Sequence, residues 1–445
     1  MPSSPTPSAP AGLYPVPLTA DGIAVPASRP SLLASIGAVI ARHRLEFSAA
    51  VIILVAGFAL RLLPYFGVPS RLTPDEHYYI TDVTMVKIVG PSQYAAIVES
   101  YVKTQSQSDI VVLPPTRCMF ILAGWAWDAL FHSGVMMSLR YVAATFSCLC
   151  FLLSGWFAFR LGGMRYALTV GALMAVAPME LVMAHRELMD GVFGFWALLT
   201  LYLLWENLQR PGRLGWLAAY AGAIAFLVLT KENAFFVAVA LGGLICTTAL
   251  FPKLNLGKAS WSTVAATAIG GLLGIGVLIS ISGGLGTLIE AYRILVIKAE
   301  NMAFAYQSGG GPWYRYIVDL MLVSPLVLLP AIGRIFALRR EDRQGIFLLL
   351  FVVFSCAVMV NVKNGMNLRY ATMWDMPLRY LAAGTILQMA GAVRRWPIAT
   401  AVILVGVIGA MELHQYALIF VQHGVEDPIT LYLMYALQIV RVAVR

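Results

Sequence analysis

Residues 161–204, LGGMRYALTVGALMAVAPMELVMAHRELMDGVFGFWALLTLYLL, decide the fold because they hold two long apolar runs around one charged turn. Each run is about 20 residues long, the length with which a helix crosses a bilayer. Similar runs recur along the 445-residue chain, of which 60% is hydrophobic and only 12% charged. A soluble domain has roughly 25% charged residues, so a soluble protein is excluded and most of the chain must face lipid.

The apolar runs predict an all-α polytopic membrane protein with about 11 transmembrane helices, in a range of about 11–13. The predicted spans are 46–66, 137–159, 165–184, 188–207, 214–230, 232–251, 260–282, 313–337, 344–363, 369–390 and 396–421.

Short basic linkers lie at alternate turns between these spans. They are Arg42/Arg44, Arg160/Arg165, Arg210/Arg213, Lys253/Lys258, Arg334/Arg339/Arg340/Arg343 and Arg394/Arg395. The positive-inside rule assigns all of them to the cytoplasm. The net charge of +9 therefore reflects membrane sidedness, so the lipid bilayer is an expected partner and nucleic acid is not.

Three regions flank or interrupt the predicted spans. Residues 1–45 form a Pro/Ser/Ala-rich stretch that predicts a disordered cytoplasmic tail before the transmembrane catalytic domain, 46–421. Two long outer loops, 67–136 and 283–312, are predicted to contain interfacial helices, one of them at 117–132. Residues 422–445 predict a short C-terminal tail with an interfacial helix.

Ionisable residues of both signs lie at four outer turns of this topology. They are Asp75, Glu76 and His77; His185, Arg186 and Asp190; Lys231; and Arg369. The local interpretation is that they cap helices or mark span ends in water, and TPDE at 73–76 fits a capping box. The functional interpretation is group transfer, because a carboxylate can act as general base on a hydroxyl while Lys and Arg bind a phosphate leaving group.

Motifs in this order resemble the GT-C glycosyltransferase superfamily, and more narrowly the dolichyl-phosphate-mannose-protein mannosyltransferase-like group that includes the lipid A aminoarabinose transferases. The resemblance covers about 46–390 and is carried by PDEHYY (74–79), LPPTRCMFILAGWAWDALFHSGVMMSLRY (113–141), the stretch quoted above, LTKENAFF (229–236), GPWYRYIVDLMLVSP (311–325) and NLRYATMWDMPLRYLAA (367–383). It implies the GT-C fold and an inverting transfer of a sugar from a polyprenyl-phosphate donor.

The resemblance also implies roles for individual residues. Asp75 would act as base or position the acceptor, with Glu76 as its neighbour and Asp190 as the second acidic position. Lys231 and Arg369 would face the donor phosphate. If a divalent cation such as Mg or Mn is needed, Asp75 and Glu76 are its candidate ligands.

Other residues near these motifs are candidates for contact with the donor phosphate or the substrates. Several relatives have Lys or His just before the proline pair, where it reaches the donor phosphate. This chain has Leu113 at that position, so Arg117 is the candidate that contacts the phosphate instead. Candidate substrate contacts are His77, Tyr78, His185 and Arg186, and the two histidines are expected to form hydrogen bonds and not to bind a metal.

The expected function is therefore sugar transfer to a hydroxyl of an envelope glycan, lipid or protein. The expected location is a bacterial inner membrane, with the active site facing the periplasm or cell exterior. Two alternatives remain: a secondary transporter, which would have inverted repeats and charges near the bilayer midplane, and an inactive GT-C-like scaffold.

Overall fold

The computed structural model describes residues 44–63, 67, 72–109, 112–299, 310–362 and 366–440. These residues form helices and no strand, which confirms the all-α prediction. The chain divides into two units, 1–48 and 49–445. Only the start of one helix is described in the first unit, so most of the predicted tail, 1–43, lies outside the described residues.

Helices follow one another along the described chain with short connections. The first loop and its flanks contain α1 (Arg44–Leu62), α2 (Pro74–Val89), α3 (Tyr94–Gln107) and α4 (Cys118–Phe131). The middle of the chain contains α5 (Val135–Ala175), α6 (Pro178–Ala184), α7 (Asp190–Gln209), α8 (Leu214–Thr230), α9 (Ala234–Leu250), α10 (Trp261–Ile281) and α11 (Leu285–Ala299). The last part contains α12 (Arg315–Val323), α13 (Pro325–Ala337), α14 (Arg343–Met359), α15 (Asp375–Ala392), α16 (Pro397–Gln415) and α17 (Thr430–Ala436).

Five helical segments of the described chain are long and apolar enough to cross a membrane by length and composition. They are α1, α5, α7, α10 and the segment Pro397–Gln422, in which α16 continues as a π-helix. Five shorter apolar helices, α4, α8, α9, α13 and α14, have 10–17 residues each. The chain is thus an integral membrane protein, while the count of eleven spans stays a prediction.

Two predicted spans, 165–184 and 313–337, are each broken into two helices in the structure. At the expected linker 160–165, Gly163 takes the non-helical φ 78° and ψ −169° and separates two helical parts of α5, and the predicted span 165–184 is broken again between Ala175 and Pro178. The predicted span 313–337 is instead broken between α12 and α13 at Ser324, because Pro325 has no N–H with which to continue the first helix.

The first outer loop is a folded layer of helices. The predicted capping box is present: the Thr73 hydroxyl accepts a hydrogen bond from the Glu76 N–H (3.2 Å), and the Thr73 N–H donates to Glu76 Oε2 (2.7 Å). Tyr94 Oη donates to the Pro115 carbonyl at 2.7 Å. These contacts fix the start of α2 and the proline pair, and so place Arg117 at the N-terminus of α4.

Two buried arginines join helices of the bundle. Arg379 in α15 donates to Asp375 (2.7 Å) and to Glu412 of α16 (2.6 Å). Arg61 of α1 donates to the carbonyls of Met174 (2.8 Å) and Ala175 (3.0 Å) at the end of α5. Removing one partner of a buried ion pair is strongly destabilising, so these contacts hold the helix ends that carry the candidate site.

Candidate active site

Four side chains from separate outer segments meet in one group, called the outer cluster: Asp75, Asp190, Lys231 and Arg369. Asp190 begins α7, Lys231 follows α8, and Arg369 lies in the 3-10 helix Leu368–Trp374 before α15. Lys231 Nζ donates to Asp190 Oδ1 at 2.5 Å, and Arg369 forms an ion pair with Asp75 while its Nε lies 3.8 Å from Asp190 Oδ2. The structure therefore brings together two carboxylates and two cations that are up to 294 positions apart in sequence.

The C-terminal tail also reaches this cluster. Asp427 Oδ1 lies 3.4 Å from Arg369 Nη1 and accepts a hydrogen bond from Asn367 Nδ2 at 2.8 Å. The Asn367 Oδ1 atom in turn accepts from the Arg369 N–H at 3.1 Å. The tail was predicted only as an interfacial helix, yet Asp427 helps to hold the Arg369 side chain in place.

The electrostatic balance keeps Asp75 ionised. Burial raises its pKa, but Arg369, Arg117 and Lys231 lower it by more, so the pKa of Asp75 lies below its ordinary value. Burial lowers the pKa of Lys231 despite the neighbouring Asp190. The Lys231 ammonium also lies 3.8 Å from the centre of the Tyr370 ring, where a cation–π interaction favours its charged form.

Arg117 lies close to the outer cluster but already has a carboxylate partner. Its Nε and Nη2 donate to Glu232 at 3.2 and 2.5 Å, and its Nη1 donates to Tyr79 Oη at 2.5 Å. A bidentate pair of this kind is among the stronger hydrogen-bonded contacts in proteins. A phosphate would have to compete with Glu232 for this guanidinium.

Glu76 lies behind Asp75, in a buried ion pair. Arg186 donates to its two oxygens at 2.8 and 2.6 Å, and the Glu187 N–H donates to Oε1 at 3.1 Å. Burial raises the pKa of Glu76, but Arg186 and the hydrogen bonds from Thr73 and Glu187 lower it by more. The pKa of Glu76 therefore lies below its ordinary value. Glu76 and Arg186 therefore join the first loop to the turn before α7 and do not face the outer cluster.

Asp75 and Glu76, the candidate ligands of a divalent cation, are each paired with an arginine. Both Glu76 oxygens are taken by Arg186, and Asp75 is paired with Arg369, so the two carboxylates do not form a vacant pair of metal ligands. In the part of the chain that the structure describes, no group of three His, Cys, Asp or Glu side chains could hold a metal ion.

The remaining candidate substrate contacts are not members of the outer cluster, but Tyr78 lies near it, because burial and then the Asp75 carboxylate raise the pKa of Tyr78. His185 is buried, and its Nε2 lies 2.8 Å from the Leu60 carbonyl, in a hydrogen bond that joins the turn before α7 to α1. His77 is exposed and Tyr78 is half-buried on the first turn of α2. His185 thus has a main-chain hydrogen-bond partner, while the roles proposed for both histidines stay predictions.

Sequence reasoning did not find Asp82, a further carboxylate on α2. Asp75, Tyr79 and Asp82 follow the spacing i, i+4, i+7, which places them on one helix face and could have signalled this residue. Burial raises the pKa of Asp82 to about 8, against a smaller lowering by Arg117. Among the described residues its half-buried carboxylate has no hydrogen bond or ion pair.

Two buried donors at the site lack acceptors. Arg369 Nε and Asn233 Nδ2, two residues after Lys231, donate no hydrogen bond to any described residue. A buried donor without an acceptor costs about 1–3 kcal/mol. Together with the cations they fit a ligand rich in anionic oxygen, such as a phosphate.

Comparison with known proteins agrees with this architecture. Residues 125–282 match the family model described as dolichyl-phosphate-mannose-protein mannosyltransferase. No curated protein matches the chain significantly.

Solved structures share the fold at low sequence identity. The apo crystal structure of ArnT from Cupriavidus metallidurans is 17% identical with a TM-score of 0.50, over 91% of this chain and 69% of ArnT. The same protein bound to undecaprenyl phosphate is 15% identical with a TM-score of 0.50, over 89% and 78%. The oligosaccharyltransferase AglB from Archaeoglobus fulgidus, in complex with an inhibitory peptide and a dolichol-phosphate, is 13% identical with a TM-score of 0.55, over 90% and 60%. Residues 125–282 are thus similar to dolichyl-phosphate-mannose-protein mannosyltransferases, and the chain shares its fold with ArnT and AglB.

Proposed function

We propose that the chain transfers a sugar from a polyprenyl-phosphate donor to a hydroxyl of an envelope glycan, lipid or protein, with inversion at the anomeric carbon. The observation that carries the proposal is the meeting of Lys231 and Arg369 with two carboxylates in the outer cluster. Structural neighbours were solved with undecaprenyl phosphate and dolichol-phosphate, which supports a donor of this class.

The donor phosphate binds Lys231 and Arg369 in this proposal. Both cations are almost fully buried, so their attraction for a phosphate is screened less than at a surface. Arg369 Nε and Asn233 Nδ2, which donate no hydrogen bond to any described residue, supply two further donors. As the bond between the anomeric carbon and the phosphate oxygen breaks, the electron pair moves to the phosphate, and these groups stabilise the charge that develops there.

Donor binding prepares the base in the same proposal. Arg369 holds Asp75 before the donor arrives, and this partner makes Asp75 a weak base. A phosphate that binds Arg369 weakens that ion pair, so the pKa of Asp75 rises towards its ordinary value. Asp75 then accepts the proton of the acceptor hydroxyl as its oxygen bonds to the anomeric carbon.

The sidedness follows from the basic linkers. The outer cluster lies at turns that alternate with those linkers, so the positive-inside rule assigns it to the non-cytoplasmic side. We infer that the protein works in a bacterial inner membrane, with the cluster facing the periplasm or cell exterior. Nucleotide sugars are not available there, which favours a lipid-linked donor.

Transfer of labelled sugar tests this function. Membranes with wild type are incubated with a panel of labelled undecaprenyl-phosphate sugars and envelope extract. Loss of a general base costs about 10²–10⁴-fold in rate, so Asp75→Asn should lose transfer by that amount. Asp109→Asn, an exposed aspartate of the same loop, is the matched control and should keep full activity. Full transfer by Asp75→Asn would contradict the role of Asp75, and no transfer by wild type from any donor would contradict the function.

A further inference from the structure

Two adjoining cavities lie at the end of the helix bundle opposite the outer cluster. Their volumes are about 230 and 810 Å³, and Tyr166, Arg334 and Asp342 line both. Their position follows from α15, because Gln388 in the larger cavity lies 13 residues after Asp375 at the start of that helix. At 1.5 Å per residue the two ends are about 20 Å apart along the helix.

The Arg334 guanidinium lines both cavities and has two side-chain partners. Arg334 Nη2 lies 3.1 Å from Asp342 Oδ1, and its Nη1 donates to Gln388 Oε1 at 3.2 Å. A side chain at Gly384 would place its Cβ 3.0 Å from Arg334 Nε, so the glycine leaves room for the guanidinium. The Arg334 side chain is therefore held by polar partners on two sides.

The lining of the larger cavity contains both apolar and basic side chains. Phe336, which is 87% exposed, lines this cavity together with Leu338 and Leu387. Arg339 is also in the wall and is exposed. The connection 334–343 carries four arginines and two acids, a net charge of +2. Apolar side chains and an exposed arginine in one cavity lining fit an amphiphile better than a free ion.

We propose that these cavities bind the phosphate-bearing headgroup of an anionic phospholipid from the leaflet on this side of the membrane. Basic pockets between helix ends at a membrane surface attract anionic headgroups. Arg339 would supply the phosphate contact with its free guanidinium, and Phe336 would lie against the acyl chains. The inference does not depend on the proposed transferase activity.

Native mass spectrometry of the detergent-solubilised protein tests this site. Phosphatidylglycerol and phosphatidylcholine are titrated separately into wild type, Arg339→Gln and the control Arg394→Gln, which removes an exposed arginine from the same end of the bundle but outside the cavities. One basic residue near a membrane surface contributes about 1 kcal/mol, so Arg339→Gln should weaken phosphatidylglycerol binding about fivefold. Arg394→Gln and wild type should bind it equally, and phosphatidylcholine should bind less well to both.

Three results would overturn the proposal. Equal binding of both lipids would mean that the site does not recognise the anionic headgroup. Equal losses in the two arginine variants would mean that surface charge alone attracts the lipid. Displacement of the lipid by millimolar inorganic phosphate would identify a free-anion site instead. Because the Arg339 side chain is exposed, its variant should fold as wild type does, and its melting temperature serves as the check.

Discussion

At the scale of single residues, Glu76 is expected to act through structure and not through contact with substrate. Its carboxylate is fully buried and paired with Arg186. Breaking a buried ion pair costs about 3–5 kcal/mol, so Glu76→Gln should lower the free energy of unfolding by that amount in detergent. Glu290→Gln is the control, because its pair with Arg293 is exposed and such pairs contribute about 0–1 kcal/mol. An unchanged melting temperature together with lost transfer would instead indicate a catalytic role for Glu76.

Asp82 gives a prediction that needs no substrate. Its pKa is about 8 in the folded protein, against 3.8 as the ordinary value. Between these values the folded protein holds a proton that the unfolded chain has lost, so this group's contribution to stability falls as pH rises from about 4 to 8. The melting temperature of wild type relative to Asp82→Asn should therefore fall over that range. A difference that does not change with pH would show that Asp82 titrates normally.

The residue scale also shows what sequence could and could not predict. Asp75 and Asp190 were identified because each starts a helix after an outer turn, which a topology map can place. The pairing of Glu76 with Arg186 was not predicted, because a capping box explains Glu76 locally and leaves its long-range partner open. Asp427 was missed because its contact with Arg369 depends on how the tail folds back, which local periodicity does not encode.

At the scale of helices, a break at Gly163 lies where the sequence predicted a linker, at 160–165. Its φ of 78° and ψ of −169° lie in a region that is essentially restricted to glycine. Any other residue held in this conformation destabilises the fold by about 1–3 kcal/mol. No atom lies within 4 Å of a Cβ at Gly163 or at Gly155, in the regular part of the same helix. Gly163→Ala should therefore destabilise through backbone strain alone.

The measurement compares the thermal unfolding of Gly163→Ala and Gly155→Ala. The second variant should be neutral or up to about 1 kcal/mol more stable, because alanine is the better helix former. Equal effects of the two variants would mean that the break is not a fixed part of the fold. The basic Arg160 and Arg165 predicted the linker, and the glycine pair 162–163 is the sequence cue for the exact position of its break. Arg160 donates to the buried Glu206 of α7 at 2.9 and 3.0 Å, which joins α5 to α7.

At the scale of the whole molecule, the alternation of spans was enough to predict which turns share one side of the membrane. Asp75, Asp190, Lys231 and Arg369 were placed on that side from basic linkers alone, and the structure brings their side chains into contact. Distances within the cluster could not be predicted, because they depend on how α2 packs over helix ends far away in sequence. The opposite end of the bundle holds the second site proposed above, which no motif marks.

The most direct test of the account is the binding of undecaprenyl phosphate to the purified protein, measured by titration in detergent. Hydrogen bonds to a charged group contribute about 1.5–3 kcal/mol, so Lys231→Gln and Arg369→Gln should each weaken binding by about 10–150-fold. Arg293→Gln, an exposed arginine of the outer layer, should bind as wild type does. Asp75→Asn should bind equally or more tightly, because the competitor for Arg369 is removed. Unchanged binding by both cation variants, or weaker binding by Asp75→Asn, would contradict a phosphate site formed by the outer cluster.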